Sequence, residues 1–405
     1  MTSFLLADVR PWGGDPVDLV ITDGVITDIT ATGSQAAADH RADHRADQQQ
    51  VVDGRGLLAL PGFVNAHAHV DKSWWGQPWV SYGGEPTTQG RIAHERAERG
   101  KYGIPSVAGA TAVLREFLRH GTTATRTHVD VDLGVGLQGI ANVHEAVDAL
   151  GGAVEVEIVA FPQDGVLRRP GVLELLDKAA AEGATSIGGL DPASIDRDPV
   201  GQLDALFEIA ARREVGIDIH LHDRGDLGAF QYELIIERTR QAGLTGKVNV
   251  SHGFALGELA PARRAEMVDQ LGEAGISWTT VAPINSAPLP WREMRTAGVA
   301  IGLGTDGIRD LWSPYGDGDL LQVARQFARL HGLRTDEDLT YAIELATTYG
   351  APFVHRENYG LKPGARADVV LLDAENVPDV LVRAPRRELV VAGGQVVVRD
   401  GELQV

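Results

Sequence analysis

The spacing of hydrophobic residues divides the chain into β-rich ends and a middle of alternating elements. Near the N-terminus, residues 17–29 (VDLVITDGVITDI) alternate β-branched and polar side chains around Asp23-Gly24, the strongest short signal for a β-hairpin. At the other end, residues 367–373 and 389–402 are again short β runs, which Gly-Gly and Asp-Gly pairs interrupt. The pattern therefore predicts one small β-sandwich domain built from both ends of the chain.

Between the N-terminal β runs and the middle of the chain lies a polar, nearly repetitive segment. Residues 36–50 read AAADHRADHRADQQQ, a composition typical of a solvated loop. His40 and His44 are a candidate metal pair, but no apolar framework surrounds them to hold such a site. We therefore expect both histidines to lie on a surface loop.

From about residue 59 to residue 356, short apolar runs alternate with amphipathic segments. Most intervals between the runs hold a helical pattern that ends at a glycine. This alternation predicts an α/β fold of the (β/α)8 TIM-barrel type, whose chemistry lies at the C-terminal ends of the strands. An open, doubly wound sheet is the alternative, but no G-x-G-x-x-G follows the first strand. The candidate strands are 63–69, 123–129, 155–161, 185–190, 216–222, 247–252, 276–281 and 300–305.

These patterns give a division of the chain into two units. We expect residues 59–356 to form the barrel and residues 1–58 and 357–405 to form the β-sandwich domain. The 405-residue chain is 43% apolar, yet it has no run of about 18 consecutive apolar residues, so we expect no membrane span. The N-terminal residues MTSFLLADVR lack the basic and apolar regions of a secretory signal, which favours the cytoplasm.

Charge and cysteine content narrow the partners and the chemistry. Lys and Arg number 37 against 56 Asp and Glu, and the formal net charge of −19 would repel nucleic acids and anionic membranes. The chain has no cysteine, so any metal ion must be bound by histidines and carboxylates. A small-molecule substrate is therefore the expected partner, and the sequence is compatible with a homo-oligomer.

Histidines gather at the predicted C-terminal ends of the strands. Because strand side chains repeat every second residue, His67 and His69 share one face with Cβ atoms about 7 Å apart, close enough to reach one ion. A lone strand histidine is more often a hydrogen-bonded core residue, but this many at one rim favour a metal site. Such a His/Asp set suits Zn²⁺ or Fe²⁺ and lowers the pKa of a bound water from about 15.7 to about 7. The rim residues are His67, His69, His128, His220, His222, His252 and Asp306.

The motifs around these residues resemble the amidohydrolase superfamily, specifically its cytosine deaminase-like branch. In chain order they are HAHVDK, THVDV, AFPQDG, HLHD, SHGFAL and GTDGIRDLWSP. The C-terminal KPGARADVVLLD is similar to the closing β segment of the family. The resemblance covers nearly the whole chain and implies a metal-dependent hydrolase barrel.

The resemblance implies which residues bind the metal. It makes His67, His69, His220 and Asp306 the ligands of one divalent ion, zinc or iron. It also makes Asp306 the base that takes the proton of the metal-bound water, and His252 a hydrogen-bond partner of that water. Binuclear members carry a carboxylated lysine at the end of strand four, whereas TSIGGLDP has no lysine here. One ion is therefore expected.

Further positions match residues near the substrate in the family. Gln163, in AFPQDG, matches a glutamine that contacts the amide edge of the substrate ring, although a turn residue is the simpler interpretation. Trp312 resembles an aromatic wall of the pocket, and core packing is its alternative. Lys72 matches an active-site lysine of the triazine side-chain hydrolases in this branch, with a solvated loop lysine as the alternative. His128 matches a histidine that supports the site without binding the metal.

Two positions depart from cytosine deaminase. Asp223 stands where that enzyme has a proton-shuttling glutamate, and Gly307 follows Asp306 where it has a second aspartate. We therefore expect intact hydrolytic machinery and a substrate other than cytosine. His222 shares the inward face of its strand with His220 and titrates near neutrality, so it can donate a proton to the leaving nitrogen. Asp223 is either the proton shuttle itself or the residue that orients His222.

The segment WWGQPW, residues 74–79, follows the first strand of the barrel. Trp74, Trp75 and Trp79 offer aromatic faces for a flat heteroaromatic ring at the pocket mouth, although packing of this loop on the barrel is an equal alternative. Gln77 would supply a polar contact there.

The sequence thus predicts a mononuclear metal-dependent aminohydrolase. Metal-bound hydroxide would attack a C–N bond of a pyrimidine, triazine, purine or pterin-like heterocycle, and ammonia or an amine would leave. Ring opening of a cyclic amide or imide is the alternative enzyme, because the same hydroxide could perform it. A non-catalytic scaffold barrel is the third hypothesis, against which the complete ligand set speaks.

Overall fold

The computed structural model describes residues 3–46 and 50–405. Among these residues, no helix combines the length and the apolar character needed to cross a membrane. The strands are β1 (Ser3–Pro11), β2 (Val17–Thr22), β3 (Val25–Ala31), β4 (Gln50–Pro61), β5 (Phe63–His69), β6 (Thr122–Asp130), β7 (Glu155–Phe161), β8 (Ser186–Leu190), β9 (Gly216–Leu221), β10 (Val248–His252), β11 (Ser277–Thr280), β12 (Ile301–Leu303), β13 (Asp306–Gly307), β14 (Val369–Leu372), β15 (Arg387–Ala392), β16 (Gln395–Arg399) and β17 (Glu402–Leu403).

The helices lie mainly between the strands of the middle region. They are α1 (Gln35–Ala46), α2 (Thr88–Glu98), α3 (Val107–Arg119), α4 (Gln138–Ala149), α5 (Val172–Ala181), α6 (Pro199–Arg213), α7 (Gly225–Gln241), α8 (Pro261–Glu273), α9 (Trp291–Thr296), α10 (Leu320–Leu330), α11 (Asp336–Leu345) and α12 (Val377–Arg383). Helix α3 shows why they form. The Ser106 side chain caps it by accepting from the Gly109 N–H, and its buried residues recur with helical spacing from Ala110 to Leu118.

Strands β5 to β13 form one parallel sheet that curls round on itself. Its nine strands follow the order β12-β11-β10-β9-β8-β7-β6-β5-β13. The two ends of this order, β12 and β13, are separated only by residues 304 and 305 in the chain. Each candidate strand of the middle region overlaps one of β5 to β12, so the predicted strand positions are confirmed. The C-terminal ends of all these strands therefore face one side.

Both chain ends contribute to the second sheet, as the hydrophobic pattern predicts. Its eight strands follow the order β17-β16-β15-β14-β4-β1-β2-β3 and form one continuous hydrogen-bonded sheet. One apolar cluster joins both halves, with Leu19 and Ile26 from the N-terminal part and Val369 from the C-terminal part. The predicted hairpin is present between β2 and β3, and both Asp23 and Gly24 have the positive φ that its tight turn requires.

The prediction of a solvated loop over residues 36–50 is wrong for the part that the structure describes. Residues 35–46 form α1, and residues 47–49 lie outside the described residues. Alanine and arginine favour a helix, and polar contacts anchor it: Arg41 donates to the fully buried Asp18, and His44 Nε2 lies 3.3 Å from Ser3 Oγ. His40 bonds to Asp28, so the two histidines belong to the packing of this helix.

Candidate active site

The first and eighth barrel strands bring two histidines and an aspartate together. His67 and His69 lie in β5, in which every residue is buried. Strand β13 pairs with β5 so that Asp306 is opposite Ala68. This register leaves Asp306 Oδ1 3.5 Å from His67 Nε2 and 3.3 Å from His69 Nε2. The three side chains therefore converge on one point at the C-terminal rim.

A third histidine reaches the same point from β9. His220 Nε2 lies 3.4 Å from His69 Nε2, and its ring centroid is 4.7 Å from that of His67. A tetrahedral ion with bonds of about 2.0–2.1 Å separates its ligand atoms by about 3.3–3.4 Å. The separations among these side chains match that geometry without rearrangement. The residues present thus fit a divalent metal ion.

A buried hydrogen-bond chain sets the tautomer of His67. Ser251 Oγ donates to Asp218 Oδ1 at 2.6 Å, so it accepts from His67 Nδ1, which lies 3.0 Å away. A proton on Nδ1 leaves Nε2 with its lone pair. His67 Nε2 is buried and has no hydrogen-bond partner among residues 3–46 and 50–405. An electron-pair acceptor such as a metal ion would satisfy it.

The protonation states also suit a metal ion. Burial, assisted by Lys72, lowers the pKa of His69 to about 4. Burial and the neighbouring histidines hold the pKa of His220 well below its usual range. For Asp306, burial acts to raise the pKa, but hydrogen bonds from His67 and His69 outweigh it and keep the pKa well below the usual range. Neutral imidazoles and an ionised carboxylate are the forms that bind metals.

Two further histidines stack beside this cluster. The rings of His222 and His252 lie 4.6 Å apart in a stacked arrangement. Asp191, the residue after β8, accepts from His222 Nδ1 at 2.8 Å and from the His222 backbone N–H at 2.5 Å. Asp223 instead accepts from Gln231 Nε2 at 2.9 Å. The residue that orients His222 is therefore Asp191, and the expectation that Asp223 does so is wrong.

His128 lies closer to the cluster than a supporting residue needs to. Its ring centroid is 4.2 Å from that of His67 and 4.5 Å from that of His220. Within the described part of the chain, neither of its ring nitrogens has a hydrogen-bond partner. One nitrogen of each of these histidines lies within 4.8 Å of those of the other two. His128 is thus within reach of the same centre.

Backbone strain accompanies the site. His252 has φ 68°, Asp306 has φ 61° and Asp191 has φ 35°, values that side chains other than glycine rarely adopt. Each of the three lies at or just after the C-terminal end of a barrel strand. Such strain persists where the surrounding structure holds a side chain in a required direction. Here it directs three polar side chains toward the rim.

Comparison with known proteins identifies the family. The model of the family described as "Amidohydrolase family" matches residues 91–398. The chain belongs to this family. N-isopropylammelide isopropylaminohydrolase from Burkholderia multivorans matches this amidohydrolase over 100% of both chains, with 41% identity and a TM-score of 0.92. N-isopropylammelide isopropyl amidohydrolase of Pseudomonas sp. strain ADP is 29% identical over 354 residues, which are 86% of this chain and 88% of that protein.

A deaminase is also among the similar structures. 5-Methylcytosine deaminase from Klebsiella pneumoniae, liganded with 5-fluorocytosine, shares 26% identity and a TM-score of 0.80, over 100% of this chain and 98% of that chain. These three relatives are two aminohydrolases and a deaminase. This amidohydrolase is accordingly an enzyme that hydrolyses C–N bonds other than peptide bonds.

Beside the histidines, the amidohydrolase has a buried polar cluster. Lys72 Nζ donates to Asp130 Oδ1 and to Gln163 Oε1, both at 2.7 Å. Gln163 Nε2 donates to Glu95 Oε2 at 2.6 Å, and Trp312 Nε1 donates to the same oxygen. Lys72 is only 3% exposed, so the alternative of a solvated loop lysine is excluded. Three residues predicted to contact substrate thus share one hydrogen-bond network.

The tryptophan-rich segment lies differently. Trp74 is buried, and Arg309 stacks over it and over Trp75 at 4.1 and 5.2 Å from the ring centroids. Trp79 and Gln77 are exposed. Within residues 3–46 and 50–405, no hydrogen bond or ring contact joins Trp75 or Gln77 to the histidine cluster. Their role at the pocket mouth stays a prediction.

Sequence reasoning missed three carboxylates of this amidohydrolase. Asp191 and Asp130 each follow or end a barrel strand, so the rule that selects the histidines applies to them too. Glu95 lies within the charged segment RIAHERAERG, where no local signal distinguishes it from a solvated helix residue. Its burial follows from where α2 packs.

Proposed function

We propose that this amidohydrolase is a mononuclear metal-dependent aminohydrolase that cleaves an exocyclic C–N bond of a nitrogen heterocycle and releases an amine or ammonia. The convergence of His67, His69, His220 and Asp306 at ligand–ligand spacing carries the proposal. The full-length similarity to an N-isopropylammelide isopropylaminohydrolase supports a triazine or a related pyrimidine-like ring as the substrate.

The donor set supports one zinc or iron(II) ion. Three imidazole nitrogens and one carboxylate suit either metal. Strand β8, with the sequence SIGGL, supplies no lysine to bridge a second ion. When bound, the ion supplies Lewis acidity and generates hydroxide near neutral pH.

The residues around the ligands would handle the protons. Asp306, which is 39% exposed, would accept the proton of the attacking water. His252 would hydrogen-bond the same water. Because Asp191 occupies Nδ1 of His222, the Nε2 of that ring is available to donate a proton to the leaving nitrogen. These assignments give each proton transfer a named side chain.

We extend the proposal to the substrate side and to the domains. Lys72, Gln163 and Trp312 would line the pocket opposite the metal, since they share one buried network beside the histidines. The curled sheet is interpreted as a complete (β/α)8 barrel of residues 59–356. The terminal sheet, folded over the shared apolar cluster, is interpreted as a sandwich domain of residues 1–58 and 357–405.

The test is a screen of aminotriazines, aminopyrimidines, purines and pterins for release of ammonia or alkylamine, with metal quantified in the same preparation. We expect one equivalent of metal and release of amine without a new carboxylate on the ring. A new carboxylate without free amine would instead indicate ring opening. Metal-free active protein would contradict the proposal.

Variants locate the activity. Asp306→Asn and His67→Ala should each abolish turnover, because they remove a proposed ligand. His144→Ala is the matched control, since His144 is exposed on α4 and should leave activity unchanged. Full activity in Asp306→Asn would refute the assigned mechanism.

A further inference from the structure

Helix α2 carries a carboxylate into the buried cluster beside the histidines. Ile92 and Glu95 are the buried residues of this otherwise polar helix, and the Glu95 side chain is 2% exposed. Glu95 Oε2 accepts from both Gln163 Nε2 and Trp312 Nε1. Its other oxygen, Oε1, has no hydrogen-bond partner among the described residues. A buried carboxylate oxygen is costly to leave without a donor, so a ligand that donates to it gains affinity.

Gln163 has no such spare capacity. Its Oε1 accepts from Lys72 Nζ at 2.7 Å, and its Nε2 donates to Glu95 at 2.6 Å and lies 3.4 Å from Asp130 Oδ2. The cation and the two carboxylates fix the orientation of the amide. The residue that the family resemblance assigns to the substrate ring is therefore committed to its neighbours. The unused acceptor of the network belongs to Glu95.

The whole cluster has an excess of acceptors over donors. The only lysine in it, Lys72, binds Asp130 at 2.7 Å and lies 3.8 Å from Glu95 Oε1. Asp71 adds a second buried oxygen, Oδ1, without a hydrogen-bond partner in the described part of the chain. Burial raises the pKa of Asp130 to about 8, with Lys72 opposing and Glu95 adding to the shift. A ligand that brings N–H groups would complement this surface, and a ligand that brings oxygen acceptors would not.

Aromatic side chains connect the cluster to the histidines. Trp312 packs against the group that contains Phe161 and Ile92. The Phe161 ring lies 4.2 Å from the ring of His220 and 5.6 Å from that of His69. Lys72 Nζ lies 5.6 Å from the same Phe161 ring. The acceptor on Glu95 and the histidine cluster thus lie on two sides of one aromatic wall.

We propose that Glu95 determines specificity by accepting a hydrogen bond, through Oε1, from an N–H group on the substrate edge remote from the scissile C–N bond. The substrate class is then a heterocycle with a further amino or ring N–H group, not one that carries only ether or carbonyl oxygens on that edge. The inference rests on the proposed function and specifies its substrate.

The test compares two rings that differ only in this property. Binding of 2,4-diamino-1,3,5-triazine and 2,4-dimethoxy-1,3,5-triazine to the metal-loaded protein is measured by titration calorimetry, and free ammonia is assayed after each titration. Glu95→Gln keeps an oxygen for Trp312 and Gln163 but places an N–H₂ group at the Oε1 position. Glu98→Gln makes the same change in the same helix, where Glu98 pairs only with the exposed Lys101 among the described ion pairs.

We expect the wild-type protein to prefer the diamino ring at least tenfold. Glu95→Gln should weaken its binding about tenfold to a hundredfold, the range for a hydrogen bond to a charged group. Glu95→Asp, which keeps the charge but shortens the reach, should lose a similar amount and carries the test if Glu95→Gln unfolds. Glu98→Gln should bind as the wild type does.

Other results would overturn the inference. These are an unchanged preference in Glu95→Gln, no wild-type binding of the diamino ring at 10 mM, or unfolding of both Glu95 variants at room temperature, which would make the residue structural. Failure of the proposed function has a different signature. A protein that shows the Glu95-dependent preference but releases no amine from any screened ring would retain this binding site and lose the assigned chemistry.

Discussion

Ser251 offers a test of the metal site that leaves every proposed ligand in place. Its hydroxyl is fully buried, accepts from His67 Nδ1 at 3.0 Å and donates to Asp218 at 2.6 Å. In Ser251→Ala, the Nδ1–H of His67 loses its acceptor in a site that water does not reach. The alternative tautomer would relieve this loss, but it would place the proton on Nε2, where the metal binds.

The size of the effect follows from these contacts. A buried donor without a partner costs about 1–3 kcal/mol. Asp218 keeps Asn249 Nδ2 at 3.0 Å and Arg126 Nη1 at 3.3 Å, so the main loss falls on His67. Residues that support a metal-bound histidine typically contribute 10–100-fold to metal affinity. We therefore expect Ser251→Ala to weaken metal binding by about one to two orders of magnitude.

The assay is equilibrium dialysis against a graded series of chelator concentrations, with metal quantified by mass spectrometry. Turnover per bound metal should stay within a few fold of wild type. Ser186→Ala is the matched control, because Ser186 is equally a buried strand serine but begins β8 at the opposite end from the site. Wild-type metal affinity in Ser251→Ala, or an equal loss in Ser186→Ala, would refute the argument that Ser251 sets the tautomer.

Three further predictions concern the proton donor, the link between the two sheets and the ion. Asp191→Asn should lower kcat at least tenfold with unchanged metal content, because His222 loses the partner of its Nδ1; an unchanged kcat would exclude His222 as a positioned acid. Arg387→Met leaves Asp319 buried without its arginine and should lower the free energy of unfolding in urea by about 3–5 kcal/mol, against about 0.5 kcal/mol or less for the exposed Arg386→Met; equal losses would contradict this. Dipicolinate should abolish amine release, and Zn²⁺ or Fe²⁺ should restore it; activity that survives complete metal removal would be incompatible with the proposed site.

The sequence is sufficient to predict the strands and the gathering of the histidines, for a local and a topological reason. The alternation in FVNAHAH fixes that His67 and His69 share a face, whichever strands lie beside it. Asp306 is far away in the chain, but parallel strands place their C-terminal ends on the same side, so its approach follows from the fold class. The observed register of β13 against β5 supplies only the final distances.

Contacts that depend on docking are beyond the sequence. The hydrophobic pattern predicts a loop in place of helix α1 because the anchors of this helix are polar and far from it in the chain: Arg41 reaches Asp18, and His44 lies beside Ser3. Glu95 is one charged residue among several in α2, and only the packing of that helix distinguishes it. In both cases hydrophobic periodicity is silent, because a buried charge leaves no apolar signal.

The state of Gln163 shows why a motif does not by itself define a substrate. AFPQDG locates the glutamine beside the site, but the structure shows that both ends of its amide are bonded to Lys72 and Glu95. A saturated amide cannot discriminate between ring edges, because either edge would have to displace a partner that carries a full charge. Discrimination then falls to the atom that the network leaves free, which is Glu95 Oε1. A chain with the same metal-binding motifs and the same AFPQDG, but another residue at position 95, is therefore expected to select a different ring.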